Sequence, residues 1–224
     1  MNTLNKNTEL LKNEASSITQ LHHSRNKTKA EVYLVNRNGS RIVCKDYSKR
    51  NILIRLFYGR YSLYREDRAY ARLEGVSGVP RCFGLEGKDV LLLEHINGKP
   101  LSRFKRGSIP ESVFIKLKKI ILCMHDRGVA NGDLHRSNVL LTADWDVYLI
   151  DYASAFFTDN ADRPGVLFRG IKDLDMYAFA RIKARYLCLE KPVPKGIFGV
   201  CYVLCVTMKK SIKKIKKCFK ANKK

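Results

Sequence analysis

The segment Asn131-Gly132-Asp133-Leu134-His135-Arg136-Ser137-Asn138 is followed, thirteen residues after Asn138, by Asp151 within Leu149-Ile150-Asp151-Tyr152-Ala153. Between them, Val139-Leu140-Leu141-Thr142 and Val147-Tyr148-Leu149-Ile150 read as two short apolar strands around the polar turn Ala143-Asp144-Trp145-Asp146. A hairpin of that length returns the chain to its start, so the spacing predicts that Asp133, Asn138 and Asp151 converge. Phosphoryl transfer needs such a set: a carboxylate to accept a hydroxyl proton, and an amide and a second carboxylate to hold Mg²⁺ on phosphates. Asp133 is therefore the candidate catalytic base. Asn138 and Asp151 are the candidate metal and nucleotide ligands, both offering hard oxygen donors.

This stretch resembles the catalytic loop and metal-binding segment of the protein-kinase-like fold. The Gly-Asp-Leu-His form, with His135 two residues after Asp133, is similar to RIO-type kinases, to aminoglycoside and choline phosphotransferases, and above all to the small bacterial lipopolysaccharide core (Kdo/heptose) kinases. The same kinases are resembled by Arg65-Glu66-Asp67-Arg68-Ala69, by Gly78-Val79-Pro80-Arg81-Cys82-Phe83-Gly84, by the run from Leu91 to Leu101, and by Asp173-Leu174-Asp175. The resemblance covers roughly residues 30 to 190 and implies an α+β, two-lobed fold with a β-rich N-lobe and an α-rich C-lobe.

The resemblance further implies an ATP- and Mg²⁺-dependent kinase acting on a hydroxyl acceptor, with a sugar of the lipopolysaccharide inner core as the expected acceptor. The alternatives are a RIO-like serine/threonine protein kinase and, from another class, a nucleotide-binding pseudokinase scaffold. Lys45 ends an apolar strand, and Glu66 lies on the next helical stretch, where it is implied to pair with Lys45 and aim it at the α- and β-phosphates. The preference for Glu66 over Asp67 rests on the resemblance. Glu94-His95-Ile96 is implied to join the lobes, with backbone groups around Glu94 and Ile96 bonding adenine. His135 has two readings: contact with phosphate or acceptor, or a hydrogen bond that holds the loop. Asn131 stands where these kinases usually carry His, and Tyr152-Ala153 where most protein kinases carry Phe-Gly. Asp173 or Asp175 is implied to accept backbone N–H bonds from the catalytic loop, the other reading being an acid favoured by a helix start. No glycine precedes Gly39, so no Gly-x-Gly-x-x-Gly loop covers the phosphates. The candidate substitute is the stretch from Ser24 to Ala30, with Lys27 or Lys29 to supply charge, the other reading being a solvated basic loop.

Along the chain, residues 1–28 are polar and weakly patterned, with one helical turn expected around Leu10 and Leu11. A hairpin is expected from Glu31 to Asp46 around Asn-Gly, with Arg41, Val43 and Lys45 on one face. Asn51 to Leu73 is helical in pattern, with Gly59 as a break; Arg81 to Ile96 forms a second hairpin. The punctuation at 97–100 divides an N-lobe, 29–96, from a C-lobe, 97–195. Helices are expected over Glu111–Arg127 and Lys172–Leu189.

Formal net charge is +22, and nine of those charges are the lysines from Lys209 to Lys224. That sign favours anionic partners. The tail, 196–224, begins with an apolar run to Met208 that is too short to span a bilayer. Met208, Ile212, Ile215 and Phe219 then fall on one helical face with lysines on the others. This predicts an interfacial helix against an anionic membrane surface, or else a last core helix with a solvated lysine end. Nucleic acid is disfavoured, because no aromatic-basic interleaving accompanies the charge. Seven scattered cysteines without a Cys-x-x-Cys pair read as reduced thiols. From the polar start no secretory signal is expected. The expected location is cytoplasmic, peripheral at the inner face of the cytoplasmic membrane.

Overall fold

Alternating apolar residues around an Asn-Gly turn give the first long-range order in the computed structural model, which describes residues 17–22, 28–37 and 39–194. Strands β1 (Ser17–His22), β2 (Glu31–Arg37) and β3 (Ser40–Asp46) pair antiparallel in sequence, with Arg37 opposite Ser40. The strand β1 lies in the stretch read as weakly patterned. A π-helical turn over Ile54–Gly59 runs without interruption into α1 (Arg60–Arg72). Strands β4 (Cys82–Glu86) and β5 (Val90–Glu94) complete a five-stranded sheet in the order β1-β2-β3-β5-β4.

The remaining elements form the helical lobe. They are β6 (Lys99–Pro100), α2 (Glu111–Asp126), β7 (Val129–Ala130), β8 (Val139–Leu141), β9 (Val147–Leu149), β10 (Phe156–Phe157) and α3 (Val166–Tyr186). The predicted β8–β9 hairpin is present, with Leu140 opposite Tyr148, and β6 adds to its edge. The β10 strand pairs with β7. This is the α+β, two-lobed arrangement that the sequence implies.

Period sets which residues face inward. In α2, Val113, Leu117, Ile120, Ile121 and Met124 are buried, as the helical pattern predicts. In β3, Lys45 stands opposite Leu91 and Val43 opposite Leu93, so Lys45 shares the face that meets the main core. That core runs through both lobes, from Leu63, Tyr70 and Leu91 to Leu117, Val139 and Tyr152. Tyr70 and Tyr152 meet edge to face, with ring centroids 5.0 Å apart.

Two expectations are corrected. Gly59 does not break the helix: its φ is −61°, and its place is explained by the Tyr47 ring, which a Cβ would approach to 2.7 Å. The last helix begins at Val166, not near Lys172, so Asp173 and Asp175 lie well inside it and are not helix-start acids. The turn at Leu10 and Leu11, Lys27 and the tail 196–224 lie outside the described residues.

Gly78 fastens the lobes together. Its carbonyl accepts the Leu149 N–H at 2.8 Å, its φ is +87°, and a Cβ there would sit 2.7 Å from the Val147 carbonyl oxygen. Gly78→Ala should therefore combine about 1–3 kcal/mol of backbone strain with about 1–3 kcal/mol of overpacking. Urea unfolding of the variant should show a loss of that combined size with an unchanged slope.

Candidate active site

Three charged side chains meet where the sheet faces the helical lobe. Lys45 on β3 places Nζ 2.6 Å from Glu66 Oε1 and 3.5 Å from Asp151 Oδ1. Glu66 is buried, and its Oε1 also accepts the Tyr152 N–H at 3.4 Å. Its position follows from helical phase, since Leu63, Glu66 and Tyr70 lie three and four residues apart on the buried face of α1. Asp67 is one step round the helix and accepts instead from the Cys82 thiol. Burial disfavours the Lys45 ammonium, but the Glu66 and Asp151 carboxylates outweigh it and raise its pKa above the ordinary range. Burial pushes the Glu66 carboxyl up against the opposing pull of Lys45. The Asp151 carboxyl is lowered, first by Lys45. The triad therefore holds a charged lysine beside an ionised Asp151.

The loop from Asn131 to Asn138 is built around buried groups that leave the Asp133 carboxylate outward. Asp175 on α3 accepts the Asn131 N–H at 2.8 Å and the Gly132 N–H at 2.9 Å, and its Oδ2 lies 3.1 Å from His125 Nε2. Asp175 and His125 are both about 1% exposed, whereas Asp173 faces solvent. Asp175 thus takes the role the sequence left open between the two. Fully buried Asn131 braces the loop from both sides: Nδ2 donates to the Asp151 carbonyl at 3.2 Å, and Oδ1 accepts the Asp133 N–H at 3.0 Å.

Asn138 closes the loop. Its carbonyl accepts the Ile150 N–H at 2.9 Å, and its Nδ2 lies 3.5 Å from the Asp133 carbonyl. Asp133, Asn138 and Asp151 are thereby tied into one cluster. The Asp133 and His135 side chains are half exposed, with His135 Nε2 3.7 Å from Asp133 Oδ2. Among the described residues no group of three His, Cys, Asp or Glu could cage a metal. One amide and one partly exposed carboxylate fit Mg²⁺ shared with phosphates and water, which needs no all-protein cage.

Glu94 and Ile96 sit apart from this cluster, at and beyond the end of β5. Glu94 is tied to Arg81 twice, donating its N–H to the Arg81 carbonyl at 2.8 Å and accepting the Arg81 N–H at 2.9 Å. The Ile96 carbonyl accepts from Gly98 N–H at 2.8 Å. Lys29 is exposed, and its carbonyl accepts Arg50 Nε at 2.8 Å.

Two groups of site-supporting residues escaped the sequence reading. One is His125, whose buried partner lies fifty residues away. The other is the arginine face of α1. Arg65 donates to the Ala155 carbonyl and lies over the Phe156 ring, and Arg68 lies over Phe157 at 4.7 Å. Arg72 donates to the Thr158 carbonyl at 2.7 Å and pairs with Asp159. Their spacing of three and four residues on one helix face was a readable signal, but its target was not.

A family model of the RIO domain matches residues 45–190. Over 153 residues the chain is 31% identical to a protein of Streptomyces coelicolor named "Probable SapB synthase", a match that takes in 54% of this chain and 16% of that protein. Two structures of the Rio2 kinase from Chaetomium thermophilum, one an ADP/Mg²⁺-phosphoaspartate complex, align with TM-scores of 0.61 and 0.62 at 16% identity. They cover 85% of this chain, which spans 62% and 63% of theirs. The chain thus spans less than two thirds of the length of each of these proteins. At that identity the Rio2 structures share the protein-kinase-like fold with it.

Asp175→Ala removes the buried acceptor of two loop N–H groups and strands His125. It should cost about 3–5 kcal/mol in chemical denaturation. The solvent-facing Asp173→Ala should stay within about 0.5 kcal/mol of the parent.

Proposed function

The chain belongs to the RIO-domain family, and from that premise we propose that it is an ATP- and Mg²⁺-dependent kinase that phosphorylates a hydroxyl acceptor. The observation that carries the reading is the Lys45–Glu66–Asp151 triad, held against the loop that bears Asp133 by the Asn131 side chain, which donates to the Asp151 carbonyl. Lys45, paired with Glu66, would bind the α- and β-phosphates. Asn138 and Asp151 would hold Mg²⁺, which neutralises charge on the phosphates when bound. The backbone from Glu94 to Ile96 takes the adenine. Asp133 accepts the proton of the acceptor hydroxyl as the new O–P bond forms and the bond from the γ-phosphorus to the bridging oxygen breaks, releasing ADP. His135, beside Asp133, orients the acceptor or the loop.

For the acceptor we propose a sugar hydroxyl of the lipopolysaccharide inner core. Support comes from the formal charge of +22, which attracts an anionic acceptor. It comes also from the short path between Asp151 and α3, which α1 arginines hold down at Ala155 and Thr158. That path offers little chain for a peptide platform. An inner-core acceptor sets the reaction at the cytoplasmic face of the membrane, toward which the nine tail lysines would be drawn. No helix among the described residues is long and apolar enough to cross a membrane. The family match favours a second reading, a serine or threonine hydroxyl of a protein. Labelled ATP offered with lipid A-core and, separately, with a generic protein acceptor separates the two. Absence of any ATP turnover would leave a nucleotide-binding scaffold.

Asp133→Asn should bind Mg·ATP like the parent yet lose at least about 10²-fold in kcat, the usual size of a general-base contribution. Retention of more than about a tenth of parental kcat removes Asp133 from the role. Asn138→Ala and Asp151→Ala should each weaken ATP binding only when Mg²⁺ is present, as measured by titration with labelled nucleotide.

A further inference from the structure

A cleft of about 570 Å³ opens directly beside the catalytic loop, between the 134–136 stretch and the C-terminal half of α3. Five cationic side chains line it: Arg106, Arg136, Arg181, Arg185 and Lys191. No carboxylate lines it; Glu190 is a chain neighbour of Lys191 but is not part of the wall. Its floor is apolar, with Leu134 and Ile182 buried beneath the rim.

None of the five cations is ion-paired among the described residues. Arg136 lies 3.5 Å from the Tyr186 hydroxyl, and Arg181 rests over the Tyr177 ring at 5.8 Å. Their neighbour Lys183, on the same helix, is by contrast paired with Glu111 at 2.8 Å. Arg181 and Arg185 stand four residues apart on one helix face, where like charges repel. A second cleft of equal volume behind α1 and β4 has mixed charge and no catalytic-loop residue.

We propose that the cationic cleft is the acceptor subsite, and that it takes a small saccharide already carrying phosphate or carboxylate groups near the hydroxyl to be phosphorylated. This rests on the kinase reading above and adds to it the chemical class and seat of the acceptor. Guanidinium forks bind phosphate and carboxylate bidentately, and an apolar floor strengthens those bonds by excluding water. The volume suits a molecule of one or two sugar units. His135 belongs to both places, lining the cleft while its Nε2 lies 3.7 Å from Asp133 Oδ2. An acceptor anchored on the rim by its anionic groups therefore presents a neighbouring hydroxyl to Asp133. An acidic protein segment would be served as well by the rest of this basic surface and has no need of a cleft beside Asp133.

The test is direct binding to the full chain, followed by calorimetry or protein NMR, with glucose 1,6-bisphosphate as probe, glucose as its neutral counterpart and an acidic peptide as the competing class. Two variants carry the same charge change: Arg181→Glu with Arg185→Glu in the cleft, and Lys118→Glu with Lys119→Glu on the exposed face of α2. The cleft variant should bind the bisphosphate at least about tenfold more weakly, the scale of one or more charge-assisted hydrogen bonds. The α2 variant should change binding less than about twofold, in keeping with screened surface charge. The milder Arg181→Gln with Arg185→Gln, checked by thermal melting, covers any folding defect of the glutamate pair. Equal losses in both charge variants, no bisphosphate binding by the parent, or a preference for the acidic peptide would each overturn the proposal. Mg·ATP binding, measured on the same samples, should be unaltered in all variants. If the parent itself binds no Mg·ATP, the kinase reading fails, while the bisphosphate result still decides the cleft.

Discussion

A single buried carboxylate joins the two lobes to the Lys45–Asp151 cluster. Glu66 Oε1 receives Lys45 Nζ from the sheet and the Tyr152 N–H from the segment after Asp151. An ionised carboxylate at that depth is tolerated only with a close countercharge and hydrogen-bond donors. The arrangement of β3, α1 and the 151–152 backbone is therefore mutually determined: moving any one of them leaves a buried charge uncompensated. The same constraint gives Lys45 its direction, because its ammonium is pulled between Glu66 and Asp151 and away from open solvent.

Another face of α1 is secured by different chemistry. Arg65, Arg68 and Arg72 reach carbonyls and aromatic faces in the 155–159 segment, and β10 in that segment pairs with β7. A swing of α1 away from Lys45 would break these contacts together with the Glu66 pair. The geometry is that of a site kept assembled, with the short segment after Asp151 acting as a brace between α1 and the loop. In the catalytic loop the division of labour is by burial. Asp175, His125 and Asn131 are almost wholly removed from water and fix the backbone, while Asp133 and His135 stay half exposed. Preorganised backbone with an accessible carboxylate is what proton acceptance from an incoming hydroxyl requires.

Much of this was legible in the residues alone. The β8–β9 hairpin, the hairpin of β2 and β3, and the apolar face of α2 each follow from local period and turn chemistry. Spacing within one hairpin is enough to bring Asn138 and Asp151 together, because its closure depends on no distant partner. The preference for Glu66 over Asp67 came from the resemblance, and the structure puts Glu66 in phase with buried Leu63 and Tyr70. The strand β1 was not legible. Its pairing to β2 is a long-range event, and Ser17–His22 lacks the unbroken apolar alternation that marks a strand.

The choice between Asp173 and Asp175 shows where sequence stops. It turns on helical phase: Phe168, Ile171, Asp175, Phe179 and Ile182 form the buried stripe of α3, and Asp173 lies off it. The stripe was unreadable because Gly170 and the Pro164-Gly165 entry weaken the local helix signal before Lys172. Phe168 and Ile171 pack with Ala130, and on that side of the helix Asp175 meets the Asn131 and Gly132 N–H groups. The sequence by itself determined that Asn138 and Asp151 meet across one hairpin beside Asp133, through residue types at fixed short spacing. The tertiary structure alone decided which charges face inward together, because burial and pairing between elements fifty to ninety residues apart depend on how helices and strands dock, not on their local pattern.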